Sequence, residues 1–502
     1  MPDATAIRRI ASLSLALLVA RIATAFVVSQ PGYTDSFYFT AVADRLAQGA
    51  GLTADFLWSP LEARADLGLP VASHLFWVPL PTGLAALGVA LAGPLAGAFR
   101  AAQLPFILTA ALLPGAAYVA ARALGTRERF ALAAAAIAGC GGLFAPAFVS
   151  VDAFAPAALM GTAFFLAYAR AAAGSTRAGL VAGLLVGLLY LSRSEGALFG
   201  LALLWLVRTE RSRRAGVAAS LVALAFGCAW LVRDLSAGLG AGLFARSALL
   251  VRYEDLFAFQ PDYIGASAAP AIDLVTARAA ALVTNAVTFT FAFALLLVVP
   301  LAAGVRGLRD RPEVRAWLGL AVLVYLAQSL VWTLHSTRGS YFHSLAAFFP
   351  FGVAIAAAGA ERLLTSLARR TADAWIAGAV VLVAIVSVTS VAQWDASFNG
   401  GTRARASALD AIPAGPFLAI DAAAWRWISG RRVAVTPADG LARAACVAAA
   451  IDARSIVLEA AHFSRYDALY RGGARPAWLD APVVRGATRV YPIRGVPPCG
   501  AP

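Results

Sequence analysis

Runs of about twenty apolar residues recur along this chain, and no other feature limits its fold so sharply. The hydrocarbon core of a bilayer takes about 20 helical residues to cross. Such runs stand at 9–29, 100–122, 130–148, 153–171, 177–191, 194–208, 214–233, 277–303, 314–334, 342–360 and 373–392. Of 502 residues, 61% are hydrophobic and 14% are charged, where a soluble domain carries about 25% charged residues. That balance excludes a soluble enzyme, a disordered chain and a peripheral protein with one anchor. The pair 177–191 and 194–208 is short for two crossings and reads as a thin helical pair. Residues 1–29 look like a cleavable signal, with Arg8, Arg9 and Ala23-Thr24-Ala25, but read better as a retained signal-anchor.

The segment 70–97 is apolar too, yet it carries Pro70, Pro79, Pro81 and Pro94. Prolines remove backbone donors and break helices, so it reads as an interfacial or re-entrant piece. Arginine placement agrees. If 70–97 does not cross, one side collects Arg8, Arg9, Arg122, Arg127, Arg129, Arg170, Arg177, Arg208, Arg211, Arg213, Arg214, Arg306, Arg309, Arg311, Arg315, Arg369 and Arg370. The positive-inside rule then gives about eleven crossings, a cytoplasmic N-terminus and an extracytoplasmic C-terminus. The net charge of +14 is therefore topological rather than a sign of nucleic acid. Every one of the 41 basic residues is arginine. Without lysine there is no phosphate-binding P-loop and no Schiff base.

The expected fold is mainly α: a transmembrane domain over 1–392, with a large outer loop 30–99, and a small extracytoplasmic α/β domain over 393–502. In that tail, apolar runs at 417–420, 432–435, 455–458 and 489–491 alternate with helix-like stretches such as 440–453. At about 100 residues the tail is long enough to bury a core. Cys446 and Cys499 lie in it, and an oxidising location permits a disulfide between them; two unpaired small hydrophobes is the equal alternative. Cys140 and Cys228 read as packing residues in spans.

Ionisable groups at a membrane boundary are costly and point to function. Asp35, in Tyr33-Thr-Asp35-Ser-Phe-Tyr38, reads either as a helix N-cap or as a reactive carboxylate. Asp152, in Ser150-Val-Asp152, has the same two readings. In Leu191-Ser-Arg-Ser-Glu-Gly196, Arg193 and Glu195 form either a plain ion pair or an arginine fork offered to phosphate. In His335-Ser-Thr-Arg-Gly-Ser-Tyr-Phe-His343, the donors His335, Arg338, Tyr341 and His343 are suited to a phosphate or pyrophosphate ester, or else make a polar turn among lipid headgroups. The histidines match no recognised metal-ligand spacing. Arg252-Tyr-Glu-Asp255 reads as solvated loop charge.

These segments together resemble the GT-C superfamily of membrane glycosyltransferases, above all bacterial relatives of the dolichyl-phosphate-mannose protein mannosyltransferases and the lipid A aminoarabinose transferase. The resemblance rests on 33–38, 43–49, the proline-rich 79–97, Ser150-Val-Asp152, 191–196, the loop around Arg338 and the α/β tail. It implies that Asp35 is the base, and that Asp152 positions the acceptor or a metal, a divalent cation being left open. It further implies that Arg193 and Arg338, with His335, Tyr341 and His343, meet the phosphate of a polyprenyl-phosphate sugar donor. Where many relatives carry a second acid after the first, this chain has Ser36. A polyprenyl phosphate leaves readily once neutralised, so a carboxylate base suffices, and single displacement inverts the sugar. The acceptor would be a glycan, lipid or protein on the outer face of a bacterial plasma membrane. The rival reading is a transporter or flippase with the same basic vestibule, and a blander one is an inactive scaffold.

Overall fold

The computed structural model describes residues 4–63, 66–238, 252–259 and 271–495. Its first helices are α1 (Ala4–Val27), α2 (Thr34–Ala47), α3 (Leu80–Ala96), α4 (Ala98–Ala111), α5 (Leu113–Ala123) and α6 (Glu128–Cys140). Then follow α7 (Phe154–Ala172), α8 (Thr176–Ser192), α9 (Gly200–Arg208), α10 (Arg213–Ser236), α11 (Ala271–Ala292), α12 (Val298–Gly307) and α13 (Pro312–Leu330). After short turns come α14 (Phe349–Leu364) and α15 (Arg369–Trp394), and the tail adds α16 (Ala422–Ser429) and α17 (Leu441–Ala450). Among the described residues, eight helical stretches are long and apolar enough to cross a membrane. This is a multi-pass membrane protein.

Several expected crossings are shorter or broken, each for a local reason. The run 130–148 is helical only as far as Cys140, because Gly141 takes the left-handed conformation (φ 84) and ends the helix. The run 277–303 splits into α11 and α12, since Pro300 has no N–H to continue the ladder; Ala294 and Leu295 between them have positive φ. At about 1.5 Å per residue, α6, α8 and α9 are each shorter than a bilayer core. The proline-rich segment forms α3, which folds back on α4 at Gly97 and exposes Leu87, Leu91 and Leu95.

Helices approach closely where glycine replaces a side chain. A Cβ on Gly304 of α12 would meet the Ile355 carbonyl of α14, and one on Gly359 of α14 would meet the Pro300 carbonyl of α12. Gly179 and Gly183 of α8 lie in the same way on Ala215 and Ala219 of α10. Such small-residue seams are how membrane helices gain van der Waals contact.

The tail forms a sheet from strands β4 (Phe417–Ala419), β5 (Val433–Val435), β6 (Ser455–Leu458), β7 (Val483–Arg485) and β8 (Thr488–Pro492). Earlier strands β1 (Thr53–Ala54), β2 (Phe56–Leu57) and β3 (Val71–Ala72) come from the first loop. The large sheet runs β2-β5-β4-β6-β8-β7, so its edge strand is borrowed from that loop. Phe56 pairs with Val433 and Leu57 with Ala434, in parallel. Beside this join, Arg426 Nε lies 2.9 Å from both oxygens of Asp55, which Arg45 also approaches at 3.5 Å. Loop and tail share one hydrophobic core, including Phe37, Phe56, Trp58, Trp425 and Val457. Cys499, half of the expected disulfide, lies outside the described residues; Cys140 and Cys228 are free thiols.

The helix ends segregate. One end of the bundle pairs Arg9 with Glu128, Arg127 with Glu361 and Arg129 with Asp373. The residues that carry the chemistry stand at the other, as the 19-residue α7 requires, since it starts just after Asp152 and carries Arg170 in its last turn. Gly359→Ala is expected to lower the melting temperature in detergent, by roughly 1–3 kcal/mol of stability for overpacking. Gly227→Ala, where a Cβ meets nothing within 4 Å, is the control that leaves it unchanged or raised.

Candidate active site

Three breaks in the bundle bring the site together. The chain leaves α1 and turns at Gly32, whose φ of 93 and whose seat on the Trp394 ring leave no room for a Cβ. It then enters α2 with Tyr33 at the cap position and Asp35 in the first turn. No side chain caps α2, so the carboxylate of Asp35 is turned to other partners. Asp152 precedes α7, and His343 sits in the short turn Tyr341–Leu345. One ligand atom from each of Asp35, Asp152 and His343 lies within 4.8 Å of the others.

Asp152 is fully buried. Its Oδ2 accepts the Tyr33 hydroxyl at 2.5 Å and faces His343 Nε2 at 3.0 Å, while Oδ1 accepts the Ala153 N–H at 2.5 Å. His343 Nδ1 lies 2.8 Å from the Gly339 carbonyl, which can only accept, so that nitrogen carries a proton. Nε2 then needs a proton between itself and Asp152, from the ring or from the carboxyl, or a cation in its place. Burial opposes charge on Asp152, but His343 and Arg193 prevail and hold its pKa below the usual value. Asp35 goes the other way: burial and the Asp152 charge raise it, against the pull of His343, Arg193 and a Trp77 hydrogen bond. Two adjacent carboxylates thus differ in basicity, and Asp35, the more exposed, is the better proton acceptor.

Arg193 closes the cluster from α8. Its Nη1 is 3.8 Å from Asp35 Oδ2, its Nε donates to Glu195 at 2.6 Å, and its Nη2 donates to Ser340 at 3.0 Å. Glu195 also accepts from Ser344 at 2.7 Å, and buried Gln328 donates to both serines. The ion-pair reading of Arg193 and Glu195 is what the structure has. Burial works against both charges, yet Glu195 stays below the usual carboxylate range and Arg193 is pushed up by Glu195, Asp152 and Asp35. A recess walled by Leu189, Phe199, Val324 and Phe348 opens beside Arg193, Glu195, Ser344 and His343.

The other expected residues fall at different depths. Arg338 is exposed and lies over the ring of Tyr253. His335 packs beside Phe76, ring centroids 5.7 Å apart, outside the three-residue group. Tyr341 is not brought to the cluster: it is buried, with its ring against Tyr325. Residues that sequence reasoning passed over are Tyr33, Gln328, Ser340, Ser344 and Tyr253. Tyr33 stood two places from Asp35 in the quoted motif. Ser340 stood within the segment 335–343, whereas Gln328 in α13 and the aromatic within a charged loop carried no spacing signal.

Asp35 is also fixed from behind. One turn along α2, Tyr38 packs on Trp77 (4.2 Å between centroids), and Trp77 on Trp58 (4.1 Å). The Tyr38 hydroxyl donates to buried Glu62 and accepts the His74 N–H. Burial raises Glu62 to about 7 and lowers His74 to about 3, so His74 stays neutral between Ser73 and Thr82.

Similarity lies in shape rather than sequence. No family model matches the chain, and no curated protein does. Among solved structures, ArnT from Cupriavidus metallidurans bound to undecaprenyl phosphate is similar at TM-score 0.56, with 14% identity over 95% of this chain and 97% of that one. The same protein in the apo state gives TM-score 0.55. The arabinofuranosyltransferase AftD from Mycobacteria gives TM-score 0.50 at 16% identity, covering 97% of this chain and 40% of that one. The chain shares the fold of these structures.

Arg193→Ala leaves Glu195 buried without its partner and is expected to cost roughly 3–5 kcal/mol. The double variant Arg193→Ala/Glu195→Ala should recover part of that loss. Thermal unfolding of both single variants and the double reads the difference, and a loss in the double equal to the sum of the two single losses would show the pair to be uncoupled.

Proposed function

We propose that this chain is a glycosyltransferase moving a sugar from a polyprenyl-phosphate donor to a hydroxyl or amine acceptor on the outer face of a bacterial plasma membrane. The observation that carries it is the contrast within one cluster. Asp35, held up in pKa and partly exposed, faces Arg193 and His343 at 3.8 and 4.0 Å, at the end of a GT-C bundle. The likeness to a protein bound to undecaprenyl phosphate supports the donor class.

In this reading the acceptor oxygen or nitrogen attacks the anomeric carbon. The bond from that carbon to the phosphate oxygen breaks, and its electron pair leaves with the polyprenyl phosphate. Asp35 takes the acceptor proton. Arg338 and, more distantly, Arg193 offset the negative charge on the departing phosphate. Attack opposite the leaving group inverts the anomeric centre. Asp152 holds His343 and Tyr33 in place and keeps the raised pKa on Asp35 rather than on itself.

Asp35, Asp152 and His343 also have the chemistry of a divalent-cation site. His343 donates its other N–H to a carbonyl, the usual outer support of a metal-bound imidazole, and such an ion would add positive charge beside the phosphate. Elemental analysis of purified protein checks this: a stoichiometric divalent ion in the wild type, lost in His343→Ala, supports it. A metal-free, active wild type removes it.

The main test is release of polyprenyl phosphate from a panel of polyprenyl-phosphate sugars in reconstituted vesicles. Turnover with one donor is expected, with loss of at least about a thousandfold in Asp35→Asn and an unchanged melting temperature. Donor binding without release by the wild type would point to a transporter instead. The pH profile carries a second expectation. A base must be deprotonated, so activity should fall as pH drops through the Asp35 pKa. Burial and Asp152 place that limb above the usual carboxylate range, and a limb at the ordinary aspartate value would remove Asp35 as the base.

A further inference from the structure

Arg193 and Arg338 are not equivalent cations. The N–H groups of Arg193 are engaged: Nε by Glu195, Nη2 by Ser340, and Nη1 turned to Asp35. Arg338 is exposed, and among the described residues no carboxylate forms an ion pair with it. What it has is an aromatic platform. Its guanidinium carbon sits 3.6 Å from the centroid of the Tyr253 ring. A carboxylate partner would occupy the in-plane N–H edges of a guanidinium, whereas stacking uses only its face. The fork therefore remains open to a second, anionic partner.

The platform is firmly built. Tyr253 begins the turn Tyr253–Phe257, which is tied to both neighbouring units. Ser59 of the first loop donates to the Leu256 carbonyl at 2.8 Å. From the tail, Ala438 N–H donates to the Phe257 carbonyl at 3.0 Å, and Ser464 donates to Glu254 through its N–H and hydroxyl at 2.9 and 2.7 Å. The Phe257 ring packs between Trp58 and Phe463. Arg338 belongs to the same turn that supplies the Gly339 carbonyl to His343 and Ser340 to Arg193. An open guanidinium is thus pinned at the edge of the cluster by a ring that cannot drift.

We infer that Tyr253 is a positioning residue that holds Arg338 as the main contact of the donor phosphate, while Arg193 serves chiefly to orient Asp35. The inference rests on the glycosyltransferase reading and assigns the phosphate contact within it. Stacking removes the rotamer freedom that an exposed arginine would otherwise lose on binding, so its loss should appear as weaker donor binding.

Binding of undecaprenyl phosphate to the full-length protein in detergent micelles tests it, alongside steady-state turnover. Tyr253→Phe keeps the ring and should bind as the wild type does. Tyr253→Leu and Arg338→Ala should each weaken binding about tenfold, and Arg338→Ala should also lower kcat at saturating donor, because the arginine offsets charge on the departing phosphate. In the Arg338→Ala background, Tyr253→Leu should add nothing, because it acts only through the arginine. Arg338→Lys, on an exposed residue that does not threaten the fold, should bind with intermediate affinity. Independent, additive losses, or wild-type affinity in Tyr253→Leu or Arg338→Lys, would overturn the inference. A wild type that binds no polyprenyl phosphate would instead overturn the reading beneath it.

Discussion

A helix that stops inside a membrane protein leaves carbonyls with no water to receive, and here arginine supplies the missing donors. Arg21, buried within the bundle, gathers the carbonyls of Gly139, Cys140 and Ala145 where α6 ends. Arg100 gathers those of Ala25, Phe26 and Val28 where α1 ends. Arg233 does the same for Ser73 and His74 in the first loop. The first two closures let the chain leave helical geometry within a packed structure, and the third ties down the loop that follows β3. The first delivers Asp152, the second Tyr33 and Asp35, and the third the loop that carries Trp77. The site exists because these interruptions are tolerated. Arginine suits the task, since its planar head can serve several carbonyls at once and lysine's compact ammonium cannot.

The same logic orders the polar groups of the site. Asp152 and Glu195 are enclosed and fully partnered, so they act as fixed anions. Asp35 keeps partial access to solvent, and Arg193 and His343 approach it at 3.8 and 4.0 Å rather than in hydrogen-bonded contact. Burial without a close partner raises a carboxyl pKa. Chemical difference between two aspartates therefore comes from packing and not from residue type.

How much of this could be read from the sequence depended on range. The membrane class and the alternation of strand and helix in the tail follow from local composition, so they were legible. Asp35, Asp152, Arg193 and His343 were singled out because charge at a membrane boundary is conspicuous on its own. Their convergence was not legible, because Asp152 and His343 are 191 residues apart. Nor was the exclusion of Tyr341, whose ring turns into the bundle while His343, two residues later, turns to the cluster. Helix phase decides that, and a broken turn with Gly339 at φ 111 resets the phase. Helix ends were misjudged where one residue governs them, as at Gly141 and Pro300. The join between the first loop and the tail had no signal either, since a strand of two residues, Phe56–Leu57, leaves no pattern to detect.

That two-residue strand has a consequence for how the molecule is made. Phe56 and Leu57 leave the ribosome hundreds of residues before Val433 and Ala434, their partners at the sheet edge. At about 5–20 residues per second the first loop waits roughly twenty seconds or more with its edge unpaired. It must also wait on the same side of the membrane as the tail. The strand edge of Phe56 and Leu57 is covered only when synthesis is nearly complete. Joining of the first loop to the tail is therefore a late event in biogenesis, and a chain truncated before the tail would have all its spans but an unpaired edge in the loop that follows Asp35.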